Sequence, residues 1–284
     1  MLSSPVALSA QTSNRRAAWS LATGTIMIAV LVAVALLAPV LTTHNPTDLD
    51  MSSTLLPPSP THWFGTNQYG QDVFARTIFA ARIDLLIGVV LVGSAVLIGS
   101  TLGTLAAWYG GLIDLLISRT VDIGLAFPFL VLVIAMVGLR GPGLGSLFLA
   151  VTLVSWIFYA RLVRADVLVA KEQNYVLAAK ISGFSTARVL LRHVVPNILG
   201  QVVVYATSDF VYAVLLGASV SYLGLGVQPP TAEWGAMVQA GQNFVTSAWW
   251  ISLFPAMALV YLGIAFAVLG DALAERLRVG QAAL

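Results

Sequence analysis

The sequence predicts an all-α membrane protein with six transmembrane helices. Of its 284 residues, 58% are hydrophobic and 9% are charged, whereas charged residues make up about a quarter of an ordinary soluble domain. The apolar residues fall into long runs with almost no charged residue, close to or above the about 17 residues that an α-helix needs to cross a bilayer. A multi-pass protein of the cell membrane, either inner or plasma membrane, is therefore expected.

The expected segments follow one another along the chain. Residues 1–16 form a polar, disordered, cytoplasmic tail, and residues 17–41 form the first transmembrane helix. That run exceeds the about 7 to 15 apolar residues of a signal peptide, so a retained anchor is favoured over a cleaved one. The remaining segments are an extracytoplasmic segment (42–84), a membrane core (85–270) and a second cytoplasmic tail (271–284).

Within the membrane core, the expected spans cover residues 85–113, 123–139, 144–159, 196–223 and 249–269. Pro128 lies inside the second of these runs and is expected to kink its helix. The first run carries glycines that indicate either close helix packing or only the general abundance of glycine in membrane helices; they are Gly88, Gly93, Gly99 and Gly103. Residues 73–79 are expected to form a short interfacial helix.

Charge sets the expected orientation. With both termini in the cytoplasm, eleven of the fourteen Lys and Arg residues lie inside and three, Arg76, Arg82 and Arg140, lie outside. This distribution agrees with the positive-inside rule, and the inverted topology would violate it. Because the cations cluster beside membrane spans rather than on one soluble face, nucleic-acid binding is not expected.

The most basic stretch is residues 161–195, called the coupling loop below, which holds six of the fourteen cations. Residues 176–181 favour a helix, Gly183 favours a turn, and Ser185 is a candidate N-cap for a second short helix. Pro196 suits the first turn of the next membrane helix. The residues alone leave two interpretations open: a helical elbow that docks into another protein, or a simple basic connection.

The coupling loop resembles the EAA motif of ABC-importer permeases, in which Glu-Ala-Ala is followed by a Gly and later by a Pro. This chain has Leu177-Ala178-Ala179 and then Gly183, with Leu177 in place of the Glu. The resemblance implies that the elbow is the coupling helix that inserts into a separate ATPase subunit. The implied ATPase-coupling residues are Tyr175, Leu177, Ala178, Ala179, Gly183, Arg188, His193 and Pro196.

Two further stretches resemble the dipeptide, oligopeptide and nickel branch of these permeases. The run HWFGTNQYGQDVFARTIFAARIDL from His62 is similar to the branch pattern His-Pro-Phe-Gly-Thr-Asp, Gly-Arg-Asp and Gly-Ala-Arg, with departures at Trp63, Asn67, Gln71 and Ala80. Residues 223–235 are similar to the branch's Leu-Gly-Leu-Gly, Pro-Pro and Trp-Gly sequence. The resemblance covers about residues 62–270.

This resemblance implies the type I ABC-importer permease fold and a set of partners. The implied partners are a second homologous permease subunit, two ATP-binding subunits that carry ATP and Mg, an extracytoplasmic substrate-binding protein and the lipid bilayer. Peptides are the implied cargo, with nickel chelates or glutathione as alternatives. The chain itself is then neither an enzyme nor the holder of a cofactor.

The residues agree with a chain that has no catalytic site of its own. An ATP-binding loop needs Gly-x-x-x-x-Gly-Lys before Ser or Thr, and neither Lys171 nor Lys180 has that setting. His44, His62 and His193 lie in separate segments without paired-His spacing, so no metal site is expected. The sequence contains no Cys, which excludes disulfides and thiolate chemistry.

One acid, Asp209, lies well inside the fifth expected span. Tyr205 and Tyr212 are four residues before and three after it, so the three share one helix face. An unpaired carboxylate in lipid is costly, so Asp209 either lines the translocation path or makes a structural hydrogen bond between helices. Two other function classes remain: an ion-coupled secondary transporter with Asp209 as proton relay, and a membrane scaffold.

Overall fold

The computed structural model describes the backbone of residues 5–282 and the side chains of residues 18–277. These residues form α-helices and no β-strand, apart from an isolated bridge between Thr66 and Asp72. The helices are α1 (Pro5–Leu41), α2 (Val73–Tyr109), α3 (Gly111–Leu125), α4 (Phe129–Arg140), α5 (Leu144–Ala170), α6 (Asn174–Ile181), α7 (Thr186–Val189), α8 (Val195–Tyr222), α9 (Trp234–Gly241) and α10 (Trp250–Ala282).

The all-α membrane class is confirmed. Five helical stretches within the described residues are long and apolar enough to cross a membrane: α1, α2, α5, α10, and the stretch from Thr186 to Tyr222 that includes α8. The pair α3 and α4 passes the same test only when taken together, as a broken sixth span or a re-entrant loop.

Pro128 does more than kink a helix. The chain bends by 89° between α3 and α4, and Pro128 itself is the N-cap of α4. Proline lacks the amide hydrogen of an interior helical residue and disfavours helix at the residue before it, so the helix ends and a new one begins. With 12 residues, α4 is about 18 Å long, which is shorter than the hydrocarbon core of a bilayer.

Several helices extend beyond the predicted apolar runs. Helix α2 begins at Val73 rather than at residue 85, because the Asp72 carboxylate accepts a hydrogen bond from the Ala75 N–H and caps the helix there. The prediction of a separate interfacial helix at residues 73–79 was therefore wrong, since these residues form the first turns of α2. Likewise, α5 continues through the first ten residues of the coupling loop, which contain no Gly or Pro.

The two tails are also more helical than expected. Helix α1 begins at Pro5 and α10 continues to Ala282, so a disordered tail over residues 1–16 is corrected to helix from Pro5 onward. Residues 1–4 and 283–284 lie outside the described residues. Hydropathy marks where a helix enters the membrane, but the backbone hydrogen-bond ladder continues until a cap or a helix breaker ends it.

The centre of the bundle is the contact between α2 and α5. A Cβ atom on Gly99 would lie 2.4 Å from the Trp156 carbonyl oxygen, and one on Gly103 would lie 2.5 Å from that of Ala160, so only glycine permits this approach. Gly88 similarly faces the Phe210 ring. The prediction of close packing is confirmed at these three glycines and wrong at Gly93, which has open space around it.

The bundle has two ends with different structures. Residues 42–72 and 223–249, called the loop end, connect α1 to α2 and α8 to α10. Residues 171–194, called the elbow end, contain α6, α7 and a π-helical turn at Leu190–Val194. Tyr222 at the last turn of α8 lies at the loop end, and Val195 at its first turn lies at the elbow end.

Candidate translocation path and coupling surface

Asp209 is held by a partner from another helix. The Tyr159 hydroxyl of α5 donates a hydrogen bond of 2.9 Å to Asp209 Oδ2, and the Tyr205 ring packs edge-on against the Tyr159 ring at 5.0 Å between centroids. Tyr159 is fully buried. The geometry corresponds to the structural alternative, in which the buried carboxylate ties α8 to α5.

The interior of the bundle next to Asp209 is tightly packed. A cavity of about 20 Å³ lies between α5 and α8, and its polar lining consists of Ser155, Asp209 and Tyr212. A volume of this size accommodates about one water molecule and is far smaller than a peptide. This cavity therefore cannot hold a peptide in the observed conformation.

The outer face of α8 carries a polar stripe. The exposed apolar residues Pro196, Leu199 and Val203 lie on one side of this helix. On the opposite side, exposed residues recur every three or four positions along the whole helix, and all but Leu215 are polar. These residues, the polar stripe of α8, are Asn197, Gln201, Tyr205, Ser208, Tyr212, Leu215, Ser219 and Tyr222. An exposed polar stripe on a membrane helix faces a water-filled path or a partner rather than lipid.

The predicted path residues occupy two different places relative to this stripe. Tyr205 and Tyr212 lie on it, whereas Asp209 is partly buried beside it and turned toward α5. Sequence reasoning that started from the single charge missed the other stripe members. Their spacing of three and four residues from Asn197 onward was the signal that identifies them.

The elbow forms as its sequence predicts. Helix α6 ends in a Schellman motif, in which the Gly183 N–H donates to the Lys180 carbonyl and the Phe184 N–H donates to the Ala179 carbonyl. Gly183 has φ of +77°, a left-handed conformation that glycine adopts at no steric cost. Ser185 occupies the N-cap position of α7, although its side chain makes no capping hydrogen bond.

The predicted coupling residues divide into an exposed and an anchoring group. Tyr175, Leu177, Ala178 and Arg188 are exposed, as is Ile181, whose side chain is 87% exposed. Ala179 is buried and therefore anchors the elbow instead of offering a contact. The other anchoring side chains are Val176, Val189, Leu190 and Val194. The exposed residues from 175 to 188 are called the coupling surface below.

The remaining predicted coupling residues surround this surface. The His193 ring is stacked on the Phe184 ring at 6.0 Å between centroids, and the Arg188 guanidinium also lies over the Phe184 ring, 5.3 Å from its centroid. Pro196 is exposed in the first turn of α8. This stack braces the segment after Gly183 and gives the surface an aromatic and cationic rim.

The elbow is attached to two of the spanning helices. The Lys171 ammonium donates to the Ala107 carbonyl at 3.1 Å, and the Lys180 ammonium lies 4.7 Å from the Trp108 ring centroid, so both cations hold the end of α2. On the other side, helical backbone continues from Thr186 to Tyr222. Movement of the elbow would therefore be transmitted directly to the helix that carries the polar stripe.

A charged contact that sequence reasoning missed supports the same region. The Arg164 guanidinium of α5 makes two hydrogen bonds to the Asp114 carboxylate of α3, at 2.5 and 2.7 Å. This bidentate contact holds α3 against α5. The pair predicted within α3, Arg119 and Asp122, is much looser at 3.8 Å and is largely exposed to solvent.

The loop end contains an open cleft with both apolar and polar lining. Its volume of about 800 Å³ lies within the range of small-molecule sites. Six amide side chains contribute to its lining: Asn67, Gln68, Gln71, Gln228, Gln239 and Asn243. Carboxamides both donate and accept hydrogen bonds. The Tyr222 hydroxyl of the polar stripe donates to Gln242 beside this cleft at 2.9 Å, so the stripe and the cleft adjoin.

The loop end also brings together side chains that are able to hold a metal ion. One ligand atom each from His44, His62 and Asp72 lies within 4.8 Å of the other two. His44 and His62 come together, although they are 18 residues apart in the sequence, because the loop folds back on itself. The expectation that the chain has no metal site stays a prediction. His193 lies at the elbow end, far along the bundle.

Comparison with known proteins identifies the family. Residues 99–279 match the family model described as binding-protein-dependent transport system inner membrane component. The dipeptide transport system permease protein DppC of Alkalihalophilus pseudofirmus is 39% identical over 89% of this chain and 84% of its own length. The probable D,D-dipeptide transport system permease protein DdpC of Escherichia coli is 39% identical over 90% and 86%.

A third similar protein is also named as a peptide transport permease. The oligopeptide transport system permease protein OppC of Bacillus subtilis is 37% identical over 89% of this chain and 83% of its own length. The family model covers well over half of the 284 residues, and the relatives extend the similarity toward the N-terminus. With its membrane-length helices, elbow and polar stripe, the chain belongs to the family of binding-protein-dependent transport system inner membrane components.

Proposed function

We propose that this chain is one of two permease subunits of an ATP-driven peptide importer and forms half of its translocation path. The observation that carries the proposal is the polar stripe of α8, which begins beside the elbow and ends beside the amide-lined cleft. A second, homologous permease facing this stripe would enclose it in a water-filled path. The bilayer surrounds the remaining, apolar faces.

The coupling surface is the docking site for an ATP-binding subunit. Two separate ATP-binding subunits, one per permease, bind ATP and Mg, and the exposed apolar side chains of the elbow dock into one of them. The chain itself holds no cofactor. Because helical backbone runs from Thr186 to Tyr222, ATP-driven displacement of the elbow tilts α8 and alternately opens the two sides of the path.

Orientation follows from charge. The elbow end, with its four cations, faces the cytoplasm together with both termini, and the loop end faces outward. An extracytoplasmic substrate-binding protein delivers cargo to the loop end. Peptides are favoured as cargo because the relatives are named for dipeptide and oligopeptide transport, and because the cleft's carboxamides match the hydrogen-bonding groups of a peptide backbone.

Two pairs of variants test these roles in the reconstituted importer. Ile181→Glu places a charge in the centre of the coupling surface and should prevent co-purification of the ATP-binding subunit. Met51→Glu, a matched change at an exposed apolar residue of the loop end, should leave co-purification intact. Equal co-purification of both variants would contradict docking on the elbow.

The proposed translocation path is tested by placing a bulky side chain in it. Ser208→Trp fills the middle of the polar stripe and should stop uptake of a labelled dipeptide into proteoliposomes without preventing assembly. Val203→Trp, at an exposed residue on the other side of α8, should preserve most uptake. Nickel chelate and glutathione are tested as alternative cargoes in the same assay. Uptake of one of them without uptake of the dipeptide would reassign the cargo. Uphill uptake by the lone chain, driven by an ion gradient, would refute the importer.

A further inference from the structure

The loop end places two imidazoles and a carboxylate from three separate segments around one point. His44 follows α1, His62 lies in the middle of the loop, and Asp72 precedes α2. His62 Nδ1 and Asp72 Oδ2 are 2.9 Å apart, and the ring centroids of His44 and His62 are 5.0 Å apart. All three possible ligand atoms lie within 4.8 Å of one another.

We propose that His44, His62 and Asp72 form a binding site for one divalent transition-metal ion of the Zn²⁺ type. Imidazole nitrogens and a carboxylate oxygen are ligands that Zn²⁺ accepts, at bond lengths of about 2.0 to 2.2 Å. Ligand atoms around such an ion lie roughly 3.3 Å apart, as those bond lengths require in a tetrahedron. The His62–Asp72 separation of 2.9 Å is somewhat shorter than that value, and the 4.8 Å limit on all three atoms leaves only a small adjustment for His44. Water completes the fourth position.

Two of the three ligands are already held in place. Asp72 is buried, and its Oδ1 accepts the capping hydrogen bond from the Ala75 N–H, which leaves Oδ2 directed at His62. The His62 backbone lies in a tight turn, where its carbonyl accepts hydrogen bonds from the Ser59 and Gly65 N–H groups at 2.8 Å each. Such preorganisation lowers the cost of assembling a metal site.

The third ligand, His44, leaves the site open to an ion from solvent. His44 is exposed to solvent, and no side chain in the described part of the chain hydrogen-bonds to its ring. It is therefore free to rotate toward an arriving ion and close the site. The His62 ring, in contrast, is fixed by its hydrogen bond to Asp72.

The surroundings favour a cation. The Asp50 carboxylate lies close enough to His62 to interact electrostatically, and hydrogen bonds from Ser52 hold the pKa of Asp50 below its ordinary value, so it remains negatively charged. A bound ion would tie the end of α1 to the start of α2 across the loop. This site is structural, and it is independent of the cargo and of the proposed importer function.

Zn²⁺ binding tests the proposal. The full-length protein, with the subunits that co-purify with it and a tag without histidine, is stripped with a chelator, and then Zn²⁺ is titrated by calorimetry and counted by elemental analysis. His44→Ala and His62→Gln should each remove about one Zn²⁺ per chain or weaken its binding at least about ten-fold. His193→Gln, the third histidine of the chain, should keep the full count.

Asp72→Asn separates the ligand role from helix capping, because asparagine caps helices as well as aspartate does. It should preserve the thermal unfolding midpoint of the stripped protein and lose most of the increase that Zn²⁺ produces in the wild type. Wild type and His44→Ala with the same Zn²⁺ count and affinity would overturn the proposal.

Discussion

Buried polar side chains hold the loop end together, whereas buried aliphatic side chains hold the elbow end. At the loop end, Asn67 donates to Gln71 at 2.8 Å, the Trp250 indole donates to the Thr66 carbonyl at 3.0 Å, and Glu233 caps α9. At the elbow end, the buried residues are Val176, Ala179, Val189, Leu190 and Val194, none of which has a polar side chain.

This contrast has a mechanical consequence. Buried hydrogen bonds are directional, and a displacement that leaves them unmade costs about 1–3 kcal/mol for each group, so the loop end is confined to one geometry. Aliphatic contacts are non-directional, so the elbow tolerates small shifts while it stays attached. A rigid loop end and a displaceable elbow suit a subunit that is driven from one side only.

The largest expected effect concerns the anchor of the loop end. Trp234 is fully buried, and its indole donates to the Thr77 carbonyl of α2 at 2.9 Å. Trp234→Ala should lower the free energy of unfolding by about 3–5 kcal/mol, measured by circular dichroism in detergent micelles. Trp249→Ala, at a largely exposed tryptophan of the same end, should cost much less. Equal losses would show that the loop end has no rigid anchor.

The next largest effect concerns the elbow. Ala179→Pro removes an amide hydrogen inside the eight-residue α6 and should destabilise that helix by about 3 kcal/mol. Uptake should be lost while the ATP-binding subunits still hydrolyse ATP, as measured by the ratio of the two rates. Thr186→Pro is the control, because the first position of α7 tolerates proline. Normal uptake in Ala179→Pro would contradict the elbow's coupling role.

A smaller effect is expected where α5 meets α8. Tyr159→Phe removes the only hydrogen bond that the described residues make to the Asp209 carboxylate and should cost about 1–3 kcal/mol of stability. Tyr212→Phe removes a hydroxyl on the exposed stripe and should change stability by less than about 0.5 kcal/mol. Denaturant titration of both variants in the same micelles measures the difference, and equal costs would mean that Asp209 is not a structural tie.

The smallest expected effect is a pH dependence at the loop end. Burial raises the pKa of Glu233 above its ordinary value of 4.5, an effect that hydrogen bonds from Ala236 and Gly235 partly offset. A raised pKa in the folded state stabilises the fold below pH 4.5, and this contribution is lost as the pH rises through the raised pKa. Unfolding measured across that interval should therefore show stability falling with pH in the wild type and a flatter profile in Glu233→Gln.

Local sequence signals accounted for much of the architecture. The apolar runs located five spanning helices, and Gly183 located the turn of the elbow. These predictions succeeded because each depends on the conformational preference of one residue or on the hydropathy of one segment. The single kinked span expected over residues 123–139 was wrong, because Pro128 separates two helices at a bend of 89°. Helix starts were less well predicted, since the Asp72 cap, and not the first apolar residue, determines where α2 begins.

The contacts between distant segments had no such signal. Asp209 and Tyr159 are 50 residues apart, and nothing near either one indicates the other. The same holds for Asp114 with Arg164 and for His44 with His62. A single sequence records which groups are available for hydrogen bonds and ion pairs, but the packing of helices selects the partners.

By itself, the sequence determined that this protein crosses the membrane several times, that a basic elbow interrupts the spans, and that α8 is polar on one side. These properties are set by solvation and backbone preferences, which act residue by residue. Only the tertiary structure decided that Asp209 faces Tyr159, that the polar stripe remains uncovered, and that two histidines meet at the loop end. Those outcomes depend on which helix faces approach one another, because a buried polar group is stable only where the fold supplies its partner.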